Sequence, residues 1–243
     1  MFFSDEIGIM FQEYGIWHLL PLLFITLGVI VIYIFRKQLR DYKYEKYVRY
    51  GMAMFAIVME LSLHVWKIIN GTWHFPDSLP IGLCAFSLFM SIYVLFTKSW
   101  KVFEIAYFWS LGGLVSVLFP DILFGPDRFR YYQFLFSHMI FFWGFMYMMF
   151  VHGYIPNNKS FKKSFILLTL LVLFVIIPIN FWWNANYMYL RTPGDTPFLL
   201  FDGHGYFIYA LGCIGLAMTV ITLWYSPIWI WRKITKTPQE RLK

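Results

Sequence analysis

The stretch WHLLPLLFITLGVIVIYIF, residues 17–35, carries no charged side chain and is long enough to cross the hydrocarbon core of a bilayer as one helix. Further apolar runs follow it at 50–69, 80–97, 102–119, 133–151, 164–182 and 205–231. Because a backbone in lipid must satisfy its own polar groups, each run is predicted to be helical. The sequence therefore predicts an all-α, polytopic integral membrane bundle of seven transmembrane helices.

The composition supports the same class of protein. Of 243 residues, 60% are hydrophobic and only 14% are charged, far from the balance of a soluble domain. The net charge of +7 does not predict a nucleic-acid partner, because the basic residues lie in short runs between apolar segments. We expect one transmembrane domain over residues 1–243, with 1–16 as an outer N-terminal segment and 232–243 as a basic cytoplasmic tail.

The connections between the runs alternate in charge. Lys and Arg are concentrated in one set of loops, including 36–49 and the C-terminal tail, whereas the other set holds Arg128, Arg130 and Arg191. The positive-inside rule then predicts an outer N-terminus and a cytoplasmic C-terminus in a multi-pass protein of the cell membrane. The outer loops mix Asn, Asp, His, Arg and aromatic residues, which indicates that function faces outward.

Polar groups within the apolar runs are costly and need a reason. Glu60, His64 and Lys67 are spaced i, i+4 and i+7, so they form one polar stripe along the second helix. The stripe is consistent with an ion-pair network that locks helices together, or with a proton relay or ligand site of a transporter or sensor. No third and fourth ligand stand at a recognisable spacing, so no metal and no other cofactor is predicted. Glu104, near Lys98 and Lys101, is interpreted as structural.

Cys84 has two interpretations. A cysteine in an apolar helix usually packs as a small hydrophobe, as we expect for Cys213 in ALGCIGLA. Counted from the predicted outer helix ends, however, Cys84, His138 and His64 lie at nearly the same depth, just below the lipid headgroups. A thiol and an imidazole at that depth are candidates for a nucleophile and base acting on an ester carbonyl.

The outer loops supply candidates for substrate contact. Arginine side chains suit phosphate or carboxylate groups, and amides can donate to an oxyanion. Trp73 is a candidate for the mouth of a site, although an interfacial Trp is more often an anchor. The predicted substrate-binding residues are Asn184, Asn186, Tyr187, Arg191, Arg128, Arg130 and Trp73.

Four blocks of the sequence stand together in order: ELSLHVWKIINGTW (60–73), LPIGLC (79–84), RFRYYQFLFSH (128–138) and NANYMYLR (184–191). They resemble the YwaF-like seven-helix bacterial membrane proteins, which are similar to the eukaryotic transmembrane protein 164 acyltransferases. The resemblance spans nearly the whole chain. It implies acyl transfer between phospholipids through a cysteine thioester with a histidine assisting, at positions matching Cys84 and His138. Gly82 departs from the family pattern, which often has a polar or bulky residue there.

The sequence thus predicts a membrane-embedded lipid acyltransferase, or a lipid hydrolase. Its predicted nucleophile is Cys84, its base and then acid is His138, and His64 or Glu60 orients the base. The expected partners are membrane phospholipids or lysolipids, and the oligomeric state is not predicted. The alternative is a small-molecule transporter or sensor that uses the stripe of Glu60, His64 and Lys67.

Overall fold

The computed structural model describes residues 1–194 and 196–235 of the chain. It is all-α and 73% helical, and no strand occurs within these residues. The α-helices are α1 Ile16–Ile34, α2 Arg36–Asp41, α3 Glu45–Ile69, α4 Leu83–Thr97, α5 Trp100–Trp109, α6 Leu111–Leu118, α7 Phe129–His152, α8 Asn158–Leu171, α9 Ile177–Trp182 and α10 Tyr206–Thr235. A π-helical turn, Val172–Ile176, joins α8 to α9, and 3₁₀ segments lie at Tyr187–Tyr189 and Pro197–Phe201. Of the predicted basic tail, residues 236–243 lie outside the described part.

Six helical segments are long and apolar enough to cross a membrane: Ile16–Ile34, Glu45–Ile69, Trp100–Leu118, Phe129–His152, Asn158–Trp182 and Tyr206–Thr235. They correspond to six of the seven predicted runs. The run predicted at 80–97 forms only the 15-residue α4, because the chain before Leu83 is not helical. Gly82 adopts an extended conformation, with φ −74° and ψ 161°, and ends the non-helical segment. The helix therefore begins three residues after the start of the predicted run at 80.

Helix α7 lies at the centre of the bundle and is its most buried span, packed against α1, α3, α4 and α6. Small residues allow α4 to approach closely: a Cβ on Gly144 would lie 2.5 Å from Ser91 Oγ. Ser91 Oγ in turn donates to the carbonyl oxygen of Phe141 at 3.3 Å. Close approach of this kind is how helices associate in lipid, where the hydrophobic effect between them is absent.

Helix α10 lies at the periphery, packed against α5, α8 and the 3₁₀ helix Pro197–Phe201. A Cβ on Gly212 would lie 2.4 Å from the Phe201 ring, so glycine is what permits this contact. The neighbouring span contains a π-helical turn directly before Pro178, two features that are common causes of helix kinks. Space is left between α10 and the helices α4 to α6, and the cavity described below occupies it.

The end of the bundle near Thr97 is closed by a buried ionic network. Glu45 Oε1 accepts hydrogen bonds from Arg49 Nε at 2.8 Å, Tyr147 OH at 3.1 Å and His152 Nε2 at 2.8 Å. Arg49 also donates to the Leu95 carbonyl oxygen. We call Glu45, Arg49, Tyr147 and His152 the Glu45 network. It joins α3, α4 and α7, and its paired groups meet the condition under which charges are tolerated inside a membrane.

Glu104 belongs to a second buried pair. Its carboxylate accepts from Lys163 Nζ at 2.5 Å and from Ser160 Oγ at 3.0 Å, which ties α5 to α8. The predicted structural role of Glu104 agrees with these contacts. Its expected partners Lys98 and Lys101 are replaced by residues of a later helix, a pairing that depends on the tertiary arrangement.

Candidate functional site

A cavity of about 830 Å³ lies between α4, α5, α6, α8 and α10. Its wall is mostly aliphatic and aromatic, and polar side chains are concentrated at the end nearest the loops that follow α6 and α9. We call this the thiol end; its polar residues are Cys84, Ser116, Asp121, Tyr189 and Thr196. A large apolar pocket with a few convergent polar groups is the usual form of a small-molecule site. The cavity is therefore the candidate site of this protein.

Cys84 reaches the cavity from the first turn of α4. It is the second residue of the helix, after Leu83 and the N-cap Gly82, and it is half-buried. The unpaired N–H groups of a helix's first turn interact favourably with negative charge nearby, such as a developing oxyanion. Its sole hydrogen-bond partner among the described residues is Ser116, with Sγ and Oγ 3.4 Å apart.

Gly82 fits its position as an N-cap. A Cβ placed on it would meet no atom within 4 Å, so the absence of a side chain leaves open space at the thiol end. Glycine is also an acceptable N-cap residue. The departure from the family pattern therefore widens the cavity beside Cys84 without disturbing the helix start.

Tyr189 and Asp121 are site residues that the sequence interpretation missed. Tyr189 OH donates to Asp121 Oδ2 at 2.6 Å, and both side chains line the cavity. The pKa of Tyr189 is raised above its ordinary value, mainly by burial and secondly by the Asp121 carboxylate. The phenol therefore stays protonated at neutral pH. Met188 and Tyr189 both have left-handed backbone conformations, with φ of 57° and 54°, and such strained residues cluster at functional sites.

Arg130 lies beside the cavity wall. Its guanidinium is 5.5 Å from the centroid of the Phe134 ring, a lining residue, and its Nη1 donates to Gln133 Oε1 at 2.5 Å. Within the described residues its other N–H groups have no hydrogen-bond partner. The guanidinium lies within electrostatic range of Glu60 and Tyr189, and both of these lie within the same range of Cys84. Arg130 therefore provides positive charge with free donors near the thiol end.

His138 lies one turn along α7 from Phe134. Its Nδ1 donates to the Phe134 carbonyl oxygen at 2.7 Å, which leaves Nε2 as the acceptor nitrogen. The imidazole packs against the Phe134 ring in a tilted arrangement, with centroids 4.3 Å apart and an interplanar angle of 41°. Phe134 and Cys84 line the cavity, whereas His138 does not. No hydrogen bond joins His138 to Cys84, both of which are described, so the structure does not place the predicted base in contact with the thiol.

The helix boundaries also change the depth comparison made from the sequence. Helix α7 begins at Phe129, four residues before the predicted Gln133, and α4 begins at Leu83, three residues after Pro80. Counted from these starts, Cys84 is the second residue of its helix and His138 the tenth. The equal depth inferred from predicted boundaries does not follow from the observed ones.

The polar stripe of α3 is largely paired internally. His64 Nε2 lies 3.5 Å from Glu60 Oε1, and its Nδ1 accepts from Trp73 Nε1 at 3.2 Å. Lys67 Nζ donates to Ser78 Oγ at 3.2 Å. The predicted i, i+4 contact on the stripe is therefore present, and the stripe fastens α3 to the loop that leads to Cys84. Trp73 participates through this bond and does not line the cavity.

The other predicted substrate contacts are engaged within the outer loops. Arg128 pairs with Asp127 at 2.6 Å and donates to the Glu6 carbonyl oxygen at 2.8 Å, which fastens the N-terminal segment. Arg191 donates to Asn184 Oδ1 at 2.7 Å, and its backbone N–H donates to Asn186 Oδ1 at 3.0 Å.

Tyr187 makes similar structural contacts. Its phenol donates to the Pro76 carbonyl oxygen, and its backbone N–H donates to Asn180 Oδ1 at 2.7 Å. These bonds shape the loop that carries Tyr189 to the cavity and hold it against the loop before α4. The shape of the site thus depends on loop residues that do not line it: Asn184, Asn186, Tyr187 and Arg191. Burial raises the pKa of Tyr187, which keeps its phenol a donor.

Metal ligation has little support in the described residues. They contain no group of three or more His, Cys, Asp or Glu side chains arranged to hold an ion. Glu60 and His64 remain a pair. The chemistry available at the thiol end is therefore that of a thiol, a hydroxyl, a phenol, a carboxylate and a nearby guanidinium.

The six long apolar helices and the apolar cavity between them define a multi-pass membrane protein with an apolar internal site. The chain belongs to the TMEM164 family, whose family model matches residues 13–225 and so includes every helix up to most of α10. Neither a curated protein nor a solved structure matches the chain. The YwaF-like bacterial grouping expected from the sequence is not tested by these comparisons.

Proposed function

We propose that this protein is a lipid acyltransferase of the cell membrane in which Cys84 carries the acyl group as a thioester. The observation that carries the proposal is the position of Cys84, in a helix's first turn at the polar end of a large apolar cavity. A thiol so placed meets an ester group while the acyl chain occupies the apolar part. The resemblance of LPIGLC to the family's active-site segment supports the same role.

In the first step the Cys84 sulfur attacks the ester carbonyl carbon of a donor phospholipid. A carbon–sulfur bond forms, the carbon–oxygen ester bond breaks, and the thiol proton ends on the hydroxyl of the released lysophospholipid. In the second step an acceptor hydroxyl attacks the thioester carbonyl. A new ester bond forms, the carbon–sulfur bond breaks, and the acceptor's proton returns to the sulfur. With water as the acceptor the outcome is hydrolysis.

Arg130 is the residue we assign to the anionic groups of this reaction. Its free guanidinium donors suit a headgroup phosphate or the oxyanion that develops on the carbonyl. Tyr189 and Asp121 border the same end of the cavity and orient the donor's polar part. His138 keeps the proposed role of base and then acid, because its Nδ1 bond leaves Nε2 available. This role requires a rearrangement that brings His138 to the thiol, with Glu60 or His64 as the orienting group on α3.

The same proposal includes the topology. We infer that α4 completes a seven-helix arrangement as a short span, with the N-terminus outside and the C-terminus in the cytoplasm. The Lys- and Arg-rich loops support that orientation. Cys84, at the beginning of α4, then lies in the outer leaflet, where glycerolipid esters are located.

The decisive experiment compares the chain's two cysteines, which line the same cavity. The purified protein is placed in phosphatidylcholine vesicles with an isotope-labelled lysolipid, and acyl transfer is followed by mass spectrometry. We expect Cys84→Ala to lose at least about a thousandfold in rate, as expected for a nucleophile, and to lose a hydroxylamine-labile acyl adduct. Cys213→Ala, which removes a buried thiol, is the matched control. We expect it to keep both the transfer rate and the acyl adduct. Full transfer by Cys84→Ala would contradict the proposal.

A transporter or sensor is the alternative. It would use Glu60, His64 and Lys67. The pair of Glu60 with His64, and the bonds of His64 and Lys67 to the 70–82 loop, support a structural role instead. Thiol labelling from outside separates the two classes. A reactive Cys84 beside an inert Cys213 supports the enzyme, whereas an inert Cys84 together with pH-dependent ligand uptake supports the alternative.

A further inference from the structure

The cavity has a direction that runs along α10. Its lining residues extend from Cys213, near the thiol end, to Trp224, eleven residues further along the helix. At 1.5 Å per residue this is roughly 16 Å along the helix axis. The far end is formed by Phe108, Leu168, Thr169 and Trp224. Thr169 is its one polar side chain among the described residues, and its hydroxyl donates to its own helix at the Phe165 carbonyl oxygen. The cavity is thus an elongated space that is polar at one end and apolar at the other.

The cavity also opens toward the lipid. Leu118, Phe119 and Leu223 line it and are at the same time exposed on the outside of the bundle. A side chain that is both lining and exposed marks the rim of an opening. Because these three residues lie within spans or directly beside one, the opening faces the bilayer, and an occupant enters from the membrane.

We propose that this space binds the acyl chain of the donor phospholipid lengthwise and that residues of α10 select its length. This inference rests on the proposed function and identifies the substrate class of the same site. The ester lies at Cys84, the chain runs past Ala217 and Val220, and its methyl end reaches the Trp224 end. Three properties of the cavity support an acyl chain as its occupant: its lining is largely apolar, its polar residues are concentrated at one end, and it opens to lipid.

Three neighbouring positions on α10 make the proposal testable, because two of them line the cavity and the third does not. Ala217 and Val220 line the cavity, with Ala217 closer to the thiol end, whereas Thr219 is exposed and does not line it. The variants Ala217→Phe, Val220→Phe and Thr219→Phe therefore add an aromatic ring at two depths of the cavity and once on the lipid-facing side.

The experiment offers vesicle-bound protein equal amounts of lauroyl, myristoyl, palmitoyl and stearoyl phosphatidylcholine and measures which chains reach a labelled lysolipid. We expect Val220→Phe to shift the preference toward shorter chains, and Ala217→Phe to shift it further. Each shift should be about tenfold in the ratio of long to short chains, the scale at which hydrophobic pockets discriminate methylenes. Thr219→Phe should keep the wild-type ratio. Unchanged ratios in both cavity variants, with transfer still dependent on Cys84, would overturn the chain site and leave the proposed function standing.

A second measurement does not need transfer at all. A phosphatidylcholine with a photoreactive diazirine at the methyl end of one chain is cross-linked to the protein, and the adducts are mapped by peptide mass spectrometry. Adducts at Trp224, Leu168 or Phe108 that disappear in Ala217→Phe support the chain site even if no transfer is found, in which case only the proposed function fails. Adducts confined to lipid-facing residues such as Leu211 overturn the chain site.

Discussion

The two ends of the bundle contain similar types of polar residue, but these are fully paired at one end and only partly paired at the other. At the Glu45 network, one carboxylate oxygen accepts bonds from Arg49, Tyr147 and His152, and every member has a partner. At the thiol end, Cys84 has a single bond to Ser116, and Arg130 keeps donors without a partner among the described residues. A cavity of about 830 Å³ lies next to the second set.

The contrast shows that ionisable residues within apolar helices do not by themselves mark a site. Buried charges are stable when they are paired, and a fully paired network has no capacity left for a ligand. Unpaired donors beside a cavity retain that capacity. The carboxylate, imidazole and arginine at the Glu45 network fasten helices, whereas the thiol, phenol and arginine near the cavity can receive a substrate.

The largest effect is expected at the paired end. Glu45→Ala leaves the Arg49 guanidinium buried without its carboxylate, which should lower the free energy of unfolding by about 3–5 kcal/mol. The loss of unfolding free energy is measured by denaturing the purified protein in detergent micelles. Glu13→Ala, at an exposed carboxylate, is the control and should change stability by less than about 0.5 kcal/mol. A small effect of Glu45→Ala would show that the network is not what holds this end together.

The next effect separates two neighbouring arginines. Arg130→Ala should reduce acyl transfer about a hundredfold, the usual cost of losing one donor to a developing oxyanion. It also leaves the buried Gln133 Oε1 without this donor, which should cost about 1–3 kcal/mol of stability. Arg128→Ala should cost a similar amount of stability, because it unpairs Asp127, but should leave the rate per folded molecule unchanged. Transfer assays and unfolding curves on both variants check this. Equal rates in the two variants would remove Arg130 from the site.

A smaller effect concerns the hydroxyl beside the thiol. Ser116→Ala removes the Cys84 hydrogen bond, and a net bond of about 1 kcal/mol corresponds to roughly a fivefold loss in transfer rate. Ser62→Ala, whose hydroxyl bonds to its own helix at the Met59 carbonyl oxygen, should leave the rate unchanged. If Ser116→Ala instead abolishes transfer, the hydroxyl takes part in the chemistry directly.

The smallest effect is expected at Gly82. A serine there provides the N-cap acceptor that glycine lacks and should stabilise the protein by a few tenths of a kcal/mol. A Cβ at this position meets no atom within 4 Å, so no clash opposes the change. Transfer should be unchanged within about twofold, since a substrate can move by the width of a hydroxyl in an open cavity. A strong loss of transfer in Gly82→Ser would mean that the donor lipid passes directly over the Gly82 backbone.

Much of the fold was predictable from hydropathy, because a helix in lipid must be long, apolar and continuous. Six of the predicted runs are long apolar helices within a few residues of their expected ends. The start of α4 was not predictable in the same way. Pro80 is acceptable at a helix start, but the helix begins only after the extended Gly82. Such boundaries depend on the packing of the loop before them.

The candidate site was predictable only in part. Cys84 drew attention as a thiol in an apolar run, and Arg130 as an arginine near a helix start. Arg128 and Arg130 differ because Arg128 is the N-cap residue of α7 in an extended conformation, whereas Arg130 lies within the first turn of the helix. Their side chains therefore reach different partners, Asp127 and Gln133. Ser116, Asp121 and Tyr189 were missed because a serine, an aspartate and a tyrosine in separate loops and helices show no pattern until the fold brings them together.

The sequence by itself determined that this is an all-α membrane protein, and it identified the thiol most worth testing, because hydrophobic length and residue type are local properties. The tertiary structure decided which polar groups are paired and which are free. It also decided that Cys84 opens into a cavity bounded by α10 and that His138 does not line this cavity. Those outcomes depend on helix rotation and packing across the bundle, which no single segment encodes.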